Sequence, residues 1–405
     1  MRILILHNHY KQTGGEDTVF HAEAALLEQH GHQVEKLAFD NSQVNSLTEK
    51  LEAALGVVYN PKSAKQVEEK IRTFRPDVIH VHNFFPLLSP AIFYVANKMH
   101  VPIAMTLHNY RLICPSALLY YKDQVQTENI HKTFPLAAIR QKVYRDSAMQ
   151  TASVVLATGM HKLLGTWQHK VDRFIALTQG AANLFQNSSL KLRPEQLVVK
   201  PNFAEDLGMA ETTRKDYFLY VGRLTREKGI ETLLRAHALK PFPLKIVGDG
   251  PLRERVEAHV AQHPLAEYVG FQNRQGVLEL LKRARGLIFS SEWLETFGMT
   301  IIEAFSTGTP VVAAKIGGAE QLVEDGVNGL HYTPGDAAGL AQKVQVLAQN
   351  PQLVTKLGLA ARQSYEANYT PEANYRMLLS IYEGMLGRGN KKPAPDTVVT
   401  KAGLS

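Results

Sequence analysis

The sequence predicts an α/β protein with two parallel-sheet domains, and three observations lead to this. The 405-residue chain is too long for one ordinary hydrophobic core. Short apolar runs alternate with amphipathic segments along both halves, which is typical of parallel sheets covered by helices on both faces. Residues 204–215 are polar and contain no strand pattern. We therefore expect a linker there, between domains at 1–203 and 213–370.

The first domain starts with a strand pattern at 2–6, a loop with Gly14 and Gly15, and a helical pattern at 16–30. Such a loop can cradle a phosphate or a sugar, although a flexible turn would also explain two glycines. The G-x-G-x-x-G fingerprint is absent, which disfavours NAD. Strands are also predicted at 32–39, 77–82, 102–108, 172–178 and 197–202, with helices at 42–56, 61–74 and up to about 187. Residues 116–170 show no readable pattern.

The second domain repeats strand and helix with short connections. Strands are predicted at 217–221, 244–247, 267–271, 286–290 and 311–314. Helices are predicted at 229–239, 252–262, 275–284, 299–305, 337–348, 351–368 and 371–386. Residues 387–405 are expected to form a loose, flexible tail.

Composition limits the partners. With 45% hydrophobic and 20% charged residues, the chain has the make-up of a soluble globular protein. Cys114 is the single cysteine, so an internal disulfide is excluded, and we expect a packed thiol in a cytoplasmic protein. No signal peptide or spanning apolar run is expected. A net charge of +7 favours phosphorylated small molecules or an anionic membrane as partners, and no nucleic-acid motif is present.

One basic stretch, residues 140–173, has two interpretations. It is a solvated helical face, or it is a patch that touches the cytoplasmic face of an anionic membrane, with Trp167 at the interface. The first is the commoner explanation for such a run. The stretch contains Arg140, Lys142, Arg145, Lys162, Trp167, His169, Lys170 and Arg173.

Three histidines lie in or directly after predicted strands. His80 and His82 point to the same side of one strand, because side chains alternate with a period of two. They could bind a metal, but no third ligand is evident in the nearby sequence, so we expect them to flank a cleft as hydrogen-bonding groups. His108 ends the next strand, at the edge where open parallel sheets bind ligands, although a strand-end histidine is often structural.

The most informative segment is 290–320. A strand-like run ends at Ser290, Glu295 follows in a loop, and Gly298 opens an apolar helix that contains Glu303. The helix N-terminus between the two carboxylates suits an anion, and Glu303 is too costly to bury unpartnered, so it should face a cleft. Two solvated surface acids would be the simpler explanation of the pair alone. A similar strand end precedes Arg223 and Lys228, two cations that could hold a diphosphate.

The ordered segment resembles the E-x7-E region of retaining glycosyltransferases of family GT4, which have the GT-B fold. The resemblance includes E-x-F-G-M after Glu295, E-A at 303–304, G-x-P-V-V-A at 308–313 and a G-G-x-E turn at 317–320. Residues 222–229 resemble the family's G-R-L-x-x-x-K-G phosphate clamp, and 106–108 its T-x-H motif. Thr296 departs from the family, which often has glycine there. The resemblance covers essentially the whole chain and is tightest over 217–334.

The resemblance implies two Rossmann-like domains facing across a deep cleft, with the helix at 371–386 crossing back to the first domain. It implies a metal-independent, retaining transfer of a hexose from a nucleotide sugar, UDP-glucose or a similar UDP-sugar. The acceptor would be a saccharide or a lipid-linked saccharide in polysaccharide or glycoconjugate synthesis, and no cofactor is expected. A nucleotide-sugar epimerase of the same fold and a non-catalytic nucleotide-sugar-binding scaffold remain alternatives.

Roles for individual residues follow from the same resemblance. The residues implied in catalysis are His108, Arg223, Lys228 and Glu295. Arg223 and Lys228 would hold the diphosphate, Glu303 the ribose and His108 the sugar from the first domain. The other residues implied in donor binding are Gly14, Gly15, Gly222, Gly248, Asp249, Gly270, Phe271, Phe297, Gly298, Met299 and Thr300. No D-x-D motif occurs, and two cations with a helix N-terminus roughly balance a diphosphate, so no metal is expected.

Overall fold

A computed structural model describes residues 1–9, 14–40, 56–210 and 214–387. The expected helix at 42–56 and the tail at 387–405 lie outside these residues, apart from one terminal residue of each. Within the described chain, two six-stranded sheets contain only parallel strand pairs, which confirms the predicted α/β class. The domain boundaries at 203 and 213 stay predictions.

The first sheet has the strand order β2-β1-β3-β4-β7-β8, and a separate hairpin joins β5 to β6. The strands are β1 (Arg2–His9), β2 (Gln33–Asp40), β3 (Val78–Val81), β4 (Ile103–Thr106), β5 (Tyr120–Tyr121), β6 (Gln124–Val125), β7 (Arg173–Ala176) and β8 (Leu197–Val199). The helices are α1 (Gly15–Gln29), α2 (Pro61–Phe74), α3 (Ala91–Lys98), α4 (Leu136–Gln141), α5 (Ala148–Leu163), α6 (Thr166–His169) and α7 (Gln179–Gln186).

The second sheet has the order β11-β10-β9-β12-β13-β14. Its strands are β9 (Phe218–Val221), β10 (Leu244–Val247), β11 (Ala266–Gly270), β12 (Gly286–Phe289), β13 (Val311–Ala314) and β14 (Gly329–Tyr332). The helices are α8 (Ile230–Leu239), α9 (Arg253–Gln262), α10 (Arg274–Arg283), α11 (Met299–Ser306), α12 (Gly317–Leu322), α13 (Ala337–Gln349), α14 (Pro351–Asn368) and α15 (Pro371–Met385). The turn expected at 317–320 is the start of a short helix, and β14 was not predicted.

The central strands are covered on both faces, and this explains their continuous apolar sequences. Every residue of β4, β12 and β13 is buried. A strand buried on both sides shows no alternation of polar and apolar residues.

The last helix joins the first domain, as the resemblance implied. Leu378 and Tyr382 of α15 are fully buried and pack with Ile3, Ile5 and Phe20 in the core beside the first sheet. Burial of a leucine and a tyrosine side chain stabilises this docking by about 1.5–3 kcal/mol each.

Candidate active site

Residues of the candidate site follow the carboxyl ends of strands in both sheets. His82 and His108 come after β3 and β4, and Arg223, Asp249 and Glu295 come after β9, β10 and β12. Ligands of open parallel sheets bind at this edge. The topology therefore gathers groups that are far apart in the sequence.

The carboxylate of Glu295 makes an ion pair with Lys228. Its Oε1 lies 2.8 Å from Lys228 Nζ and also accepts a hydrogen bond from the Ser291 hydroxyl group. The Glu295 side chain is only 13% exposed, which holds it in one orientation. Lys228 Nζ also lies 5.5 Å from the centre of the Trp293 ring, within cation–π range.

Gly229 explains why Lys228 reaches this position. The residue has φ 67°, and a Cβ atom there would lie 1.8 Å from the Ser290 carbonyl oxygen. No side chain fits such an approach. The Ser290 hydroxyl group donates to the Lys228 carbonyl oxygen at 2.9 Å, which fixes the turn against the end of β12.

Two glycines at the start of α12 shape the Glu295 loop from behind. A Cβ atom on Gly317 would lie 2.7 Å from the Glu295 backbone nitrogen, and one on Gly318 would lie 2.6 Å from the Phe297 carbonyl oxygen. The Gly318 amide donates to the Glu295 carbonyl oxygen at 2.8 Å. The Gly-Gly pair therefore supports the loop and does not merely turn the chain.

Glu303 lies in α11, five residues after Gly298, the residue that precedes the helix. No side chain caps this helix, so its first amide groups are available to an anion. Burial raises the pKa of Glu303 to about 7, with a further increase from Glu205 and opposition from Arg274. Glu303 therefore changes protonation near neutral pH.

Arg223 is exposed, and its guanidinium group has no ion-pair or hydrogen-bond partner within the described ranges. It stands beside a tight backbone contact, because a Cβ atom on Gly248 would lie 1.9 Å from the Gly222 carbonyl oxygen. The region expected to frame a base is open, since Phe271 is 77% exposed and Asp249 is also exposed.

The two domains touch on either side of Glu295. Leu294 packs against the hydrophobic core of the first domain. The Thr296 hydroxyl group donates to the His108 carbonyl oxygen at 2.8 Å, and its carbonyl oxygen accepts from Thr178 at 3.2 Å. Thr296, the departure from the family pattern, thus connects the Glu295 loop to His108.

The glycine loop also reaches the second domain. A Cβ atom on Gly15 would lie 3.8 Å from Met299 Cγ, so the start of α1 faces the start of α11. Asp17 holds this loop, because one of its oxygens accepts from the Gly14 amide at 2.7 Å. Gly15 therefore stands beside Met299, while the donor-binding roles of Gly14 and Gly15 stay predictions.

The expectation that His80 flanks the cleft is wrong. His80 is fully buried, and its ring nitrogens lie 2.7 Å from the Tyr382 hydroxyl oxygen and 2.8 Å from Thr106 Oγ1. A third residue able to bind a metal with His80 and His82 does exist, because Glu23 of α1 lies beside both. However, Glu23 Oε1 is 2.5 Å from Lys200 Nζ, and this buried ammonium group already supplies the positive charge.

A second group with metal-binding side chains lies at the end of β1. His7 Nε2 and His9 Nδ1 lie 2.9 Å and 2.6 Å from the same Asp17 oxygen. Hydrogen bonds therefore account for this arrangement without a cation.

Sequence reasoning missed Glu16. Its two carboxyl oxygens lie 3.2 Å from Asn83 Nδ2 and 3.5 Å from Asn109 Nδ2, and burial raises its pKa to about 8. A signal was present, since Glu16 follows Gly14-Gly15 at a helix start and both asparagines follow strand ends. Glu16 therefore lies beside Asn109, the residue that follows His108.

Part of the interpretation of the basic stretch (residues 140–173) is wrong. Trp167 is fully buried, and Lys162 is buried with its ammonium group on the Lys132 carbonyl oxygen. Both belong to the interior of the first domain, where α6 packs against α5. The expected packed thiol is confirmed, since Cys114 is buried in the first core.

Sequence comparison identifies the family. The model of the family described as glycosyl transferases group 1 matches residues 206–364, and that of the glycosyl transferase 4-like domain matches residues 14–202. The O-antigen chain mannosyltransferase C of Escherichia coli is 26% identical over 65% of this chain and 77% of its own length. The glycogen synthase of Mycobacterium tuberculosis is 25% identical over 82% of this chain and 74% of its own length.

Solved structures share the fold over most of the chain. Anabaena Alr3699/HepE in complex with UDP-glucose superposes with a TM-score of 0.66 at 20% identity, covering 95% of this chain and 100% of that one. The sucrose-phosphate synthase of Thermosynechococcus elongatus gives 0.69 at 19% identity, covering 96% and 99%. These structures show the GT-B fold, and the two family matches show that the chain is a glycosyltransferase of the GT4 type.

Proposed function

We propose that the protein transfers a hexose from a UDP-sugar, UDP-glucose or a close analogue, to a hydroxyl group of a saccharide or lipid-linked saccharide. The observation that carries this is the ion pair between Lys228 and Glu295, whose loops, like the loop of Arg223, follow carboxyl ends of strands in the second sheet. The pair supports a site in which cations hold a diphosphate and a carboxylate binds sugar hydroxyl groups. The complex of Anabaena HepE with UDP-glucose and the polysaccharide-related names of the relatives support the choice of donor and acceptor.

We propose a front-face displacement with retention of configuration and without a metal. The bond from the anomeric carbon to the diphosphate oxygen breaks, and the acceptor oxygen bonds to the same face of that carbon. The departing diphosphate oxygen takes the acceptor's proton. Arg223, Lys228 and the amide groups at the start of α11 stabilise the charge that develops on the leaving group.

A donor panel tests the proposal. The protein is incubated with UDP-, GDP- and ADP-sugars, and binding, hydrolysis and sugar rearrangement are followed by chromatography and calorimetry. Without acceptor, we expect slow hydrolysis of a UDP-hexose. With a saccharide acceptor, we expect the UDP-hexose to be consumed faster, by transfer. Release of a rearranged sugar would favour an epimerase, and binding without turnover in the presence of acceptors would favour a scaffold.

We also propose that α4 and α5 rest on an anionic membrane. Met149, Leu156, Met160 and Leu163 follow one face of α5, and each is at least 37% exposed, against the usual burial of such side chains. Leu136 of α4 and Leu164, directly after α5, are also exposed. Arg140 of α4 is exposed, as are Lys142 and Arg145 in the segment that leads into α5. Apolar side chains flanked by cations fit an anionic surface. Within the described residues, no helix has the length and hydropathy needed to span a bilayer.

Flotation with vesicles checks this surface. We expect the protein to float with phosphatidylglycerol vesicles at low salt and not with neutral vesicles, because each nearby cation contributes about 1 kcal/mol. The double variant Leu156→Ser/Leu163→Ser should stay at the bottom of the gradient. Leu239→Ser, which changes a leucine of the second domain with 61% exposure, should float like the wild type. Equal flotation of all three proteins would contradict the assignment.

A further inference from the structure

A buried chain of polar groups ends at His108. Lys200 Nζ lies 2.5 Å from Glu23 Oε1, Glu23 Oε2 lies 3.4 Å from His82 Nε2, and His82 Nδ1 lies 3.0 Å from His108 Nε2. Lys200 and Glu23 are fully buried, and His82 is 2% exposed. The mechanism described above uses none of these three residues directly, although burying them is costly.

The charges within this chain are balanced. Burial alone would raise the pKa of Glu23, but the charge of Lys200 and the contact with His82 hold it well below its usual range. Glu23 is therefore ionised, and Lys200 neutralises it. No negative charge is left over to stabilise a buried imidazolium ion at His82. A single hydrogen on the His82 ring keeps this buried chain free of a net charge.

The position of that hydrogen follows from two buried atoms that lack regular hydrogen bonds. Glu23 Oε2 and His82 Nε2 lie 3.4 Å apart, and within the described ranges neither makes a hydrogen bond to any other group. A carboxylate oxygen only accepts, so the hydrogen of His82 belongs on Nε2, facing Glu23. His82 Nδ1 then has a lone pair, and it accepts from His108 Nε2.

His108 is neutral as well. Burial, followed by the electrostatic effect of His82, holds its pKa well below the usual range. The other charged or titratable groups that act on it are Glu23, His7 and His80. Its single ring hydrogen is on Nε2, which donates to His82 Nδ1. His108 Nδ1 has no partner in the part of the chain that the structure describes. His108 itself is partly exposed.

We propose that Lys200, Glu23 and His82 fix His108 in the tautomer with hydrogen on Nε2, so that Nδ1 accepts a hydrogen bond from a hydroxyl group of the donor sugar. Glu23 is thus a positioning residue that acts through His82. The inference rests on the proposed function for the identity of the ligand. It adds a selectivity for neutral sugars, because a ring lone pair accepts a hydrogen bond from a hydroxyl group and repels the carboxylate of a uronic acid.

Nitrogen NMR of histidine-labelled protein tests the tautomer without any substrate. The His108 signals are assigned by their loss in His108→Gln. We expect a protonated Nε2 and an unprotonated Nδ1 from about pH 6 to pH 9, a range in which an ordinary histidine with pKa near 6.5 titrates. A hydrogen on Nδ1, or a titrating ring, in the wild-type protein would overturn the proposal, whether or not any variant folds.

Two variants locate the cause. Glu23→Gln/Lys200→Gln keeps the charge balance but removes the fixed acceptor, and it should give a mixture of His108 tautomers. His80→Gln changes a histidine of the same cluster that does not contact His108, and it should leave the His108 tautomer unchanged. An unaltered tautomer in the double variant would show that Glu23 does not control His108.

Donor selectivity provides a separate readout. We expect the wild type to hydrolyse UDP-glucose at least about 10²-fold faster than UDP-glucuronate, since sites built around one hydrogen bond reject analogues that lack it strongly. Comparable rates would contradict the selectivity. If no UDP-sugar is hydrolysed, the proposed function is contradicted, and the NMR result on the His108 tautomer is unaffected.

Discussion

Replacing Arg223 by alanine is expected to raise the activation free energy of sugar transfer by about 2–4 kcal/mol, which slows transfer roughly 30- to 10³-fold. The guanidinium group is exposed, has no partner in the described ranges and lies on the same loop after β9 as Lys228, so its charge is available to an anionic ligand. Lys228→Ala should slow transfer to a similar degree. It also leaves Glu295 without its cation, so the two losses are not expected to be additive.

Two controls accompany this prediction. Arg283→Ala removes an arginine at the end of α10, whose ion pair with Glu279 lies on the surface, and transfer should not change. Excess EDTA should also leave transfer unchanged, because we propose that Arg223 and Lys228, rather than a metal, neutralise the leaving group. Activity that disappears in EDTA and returns with Mg²⁺ or Mn²⁺ would show that the assignment of Arg223 and Lys228 is wrong.

Glu295→Gln should reduce transfer by about 2–4 kcal/mol while the affinity for UDP stays equal or increases. We propose that this carboxylate binds hydroxyl groups of the transferred sugar, and UDP lacks that sugar. Loss of the negative charge also frees Lys228, now 2.8 Å from Glu295, to attract the diphosphate. Calorimetry with UDP and a transfer assay measure the two effects separately.

Glu303→Gln should show the opposite division, with weaker binding of UDP. A carboxylate accepts two ribose hydroxyl groups better than a protonated acid does. Because the pKa of Glu303 is about 7, wild-type affinity should rise as the pH increases through that value. The difference between wild type and variant cancels the titration of the phosphate itself. Equal loss of UDP affinity in the Glu295 and Glu303 variants would refute the division of roles.

The regular elements could be predicted closely where a clear period is bounded by glycine or proline. The ranges of β10, β13 and α14 agree with the expected ones, because such boundaries leave little choice for where the element starts or ends. Residues 116–170 could not be predicted, since their hairpin and short helices are held by contacts with distant segments. Trp167 illustrates this, because nothing local shows that its ring packs between Phe84 and Phe93.

The site divides along the same line. Glu295, Glu303, Arg223 and Lys228 lie in short motifs whose spacing is visible in the sequence. The groups behind His108 are not, because Glu23 and Lys200 are 177 positions apart and meet only through the topology of the first sheet. A buried ion pair of this kind leaves no periodic pattern in the residues around it.

The position of Glu295 between Leu294 and Thr296 has a consequence for turnover. Leu294 and Thr296 both contact the first domain. A hinge motion that separates the two domains would therefore break both contacts together and would move Glu295 away from His108. The Thr296 hydroxyl bond, worth about 1 kcal/mol, biases that equilibrium toward the shut form roughly fivefold. We therefore expect water to reach a bound donor sugar only when the domains separate. Hydrolysis without acceptor would then be limited by the same domain opening that releases UDP.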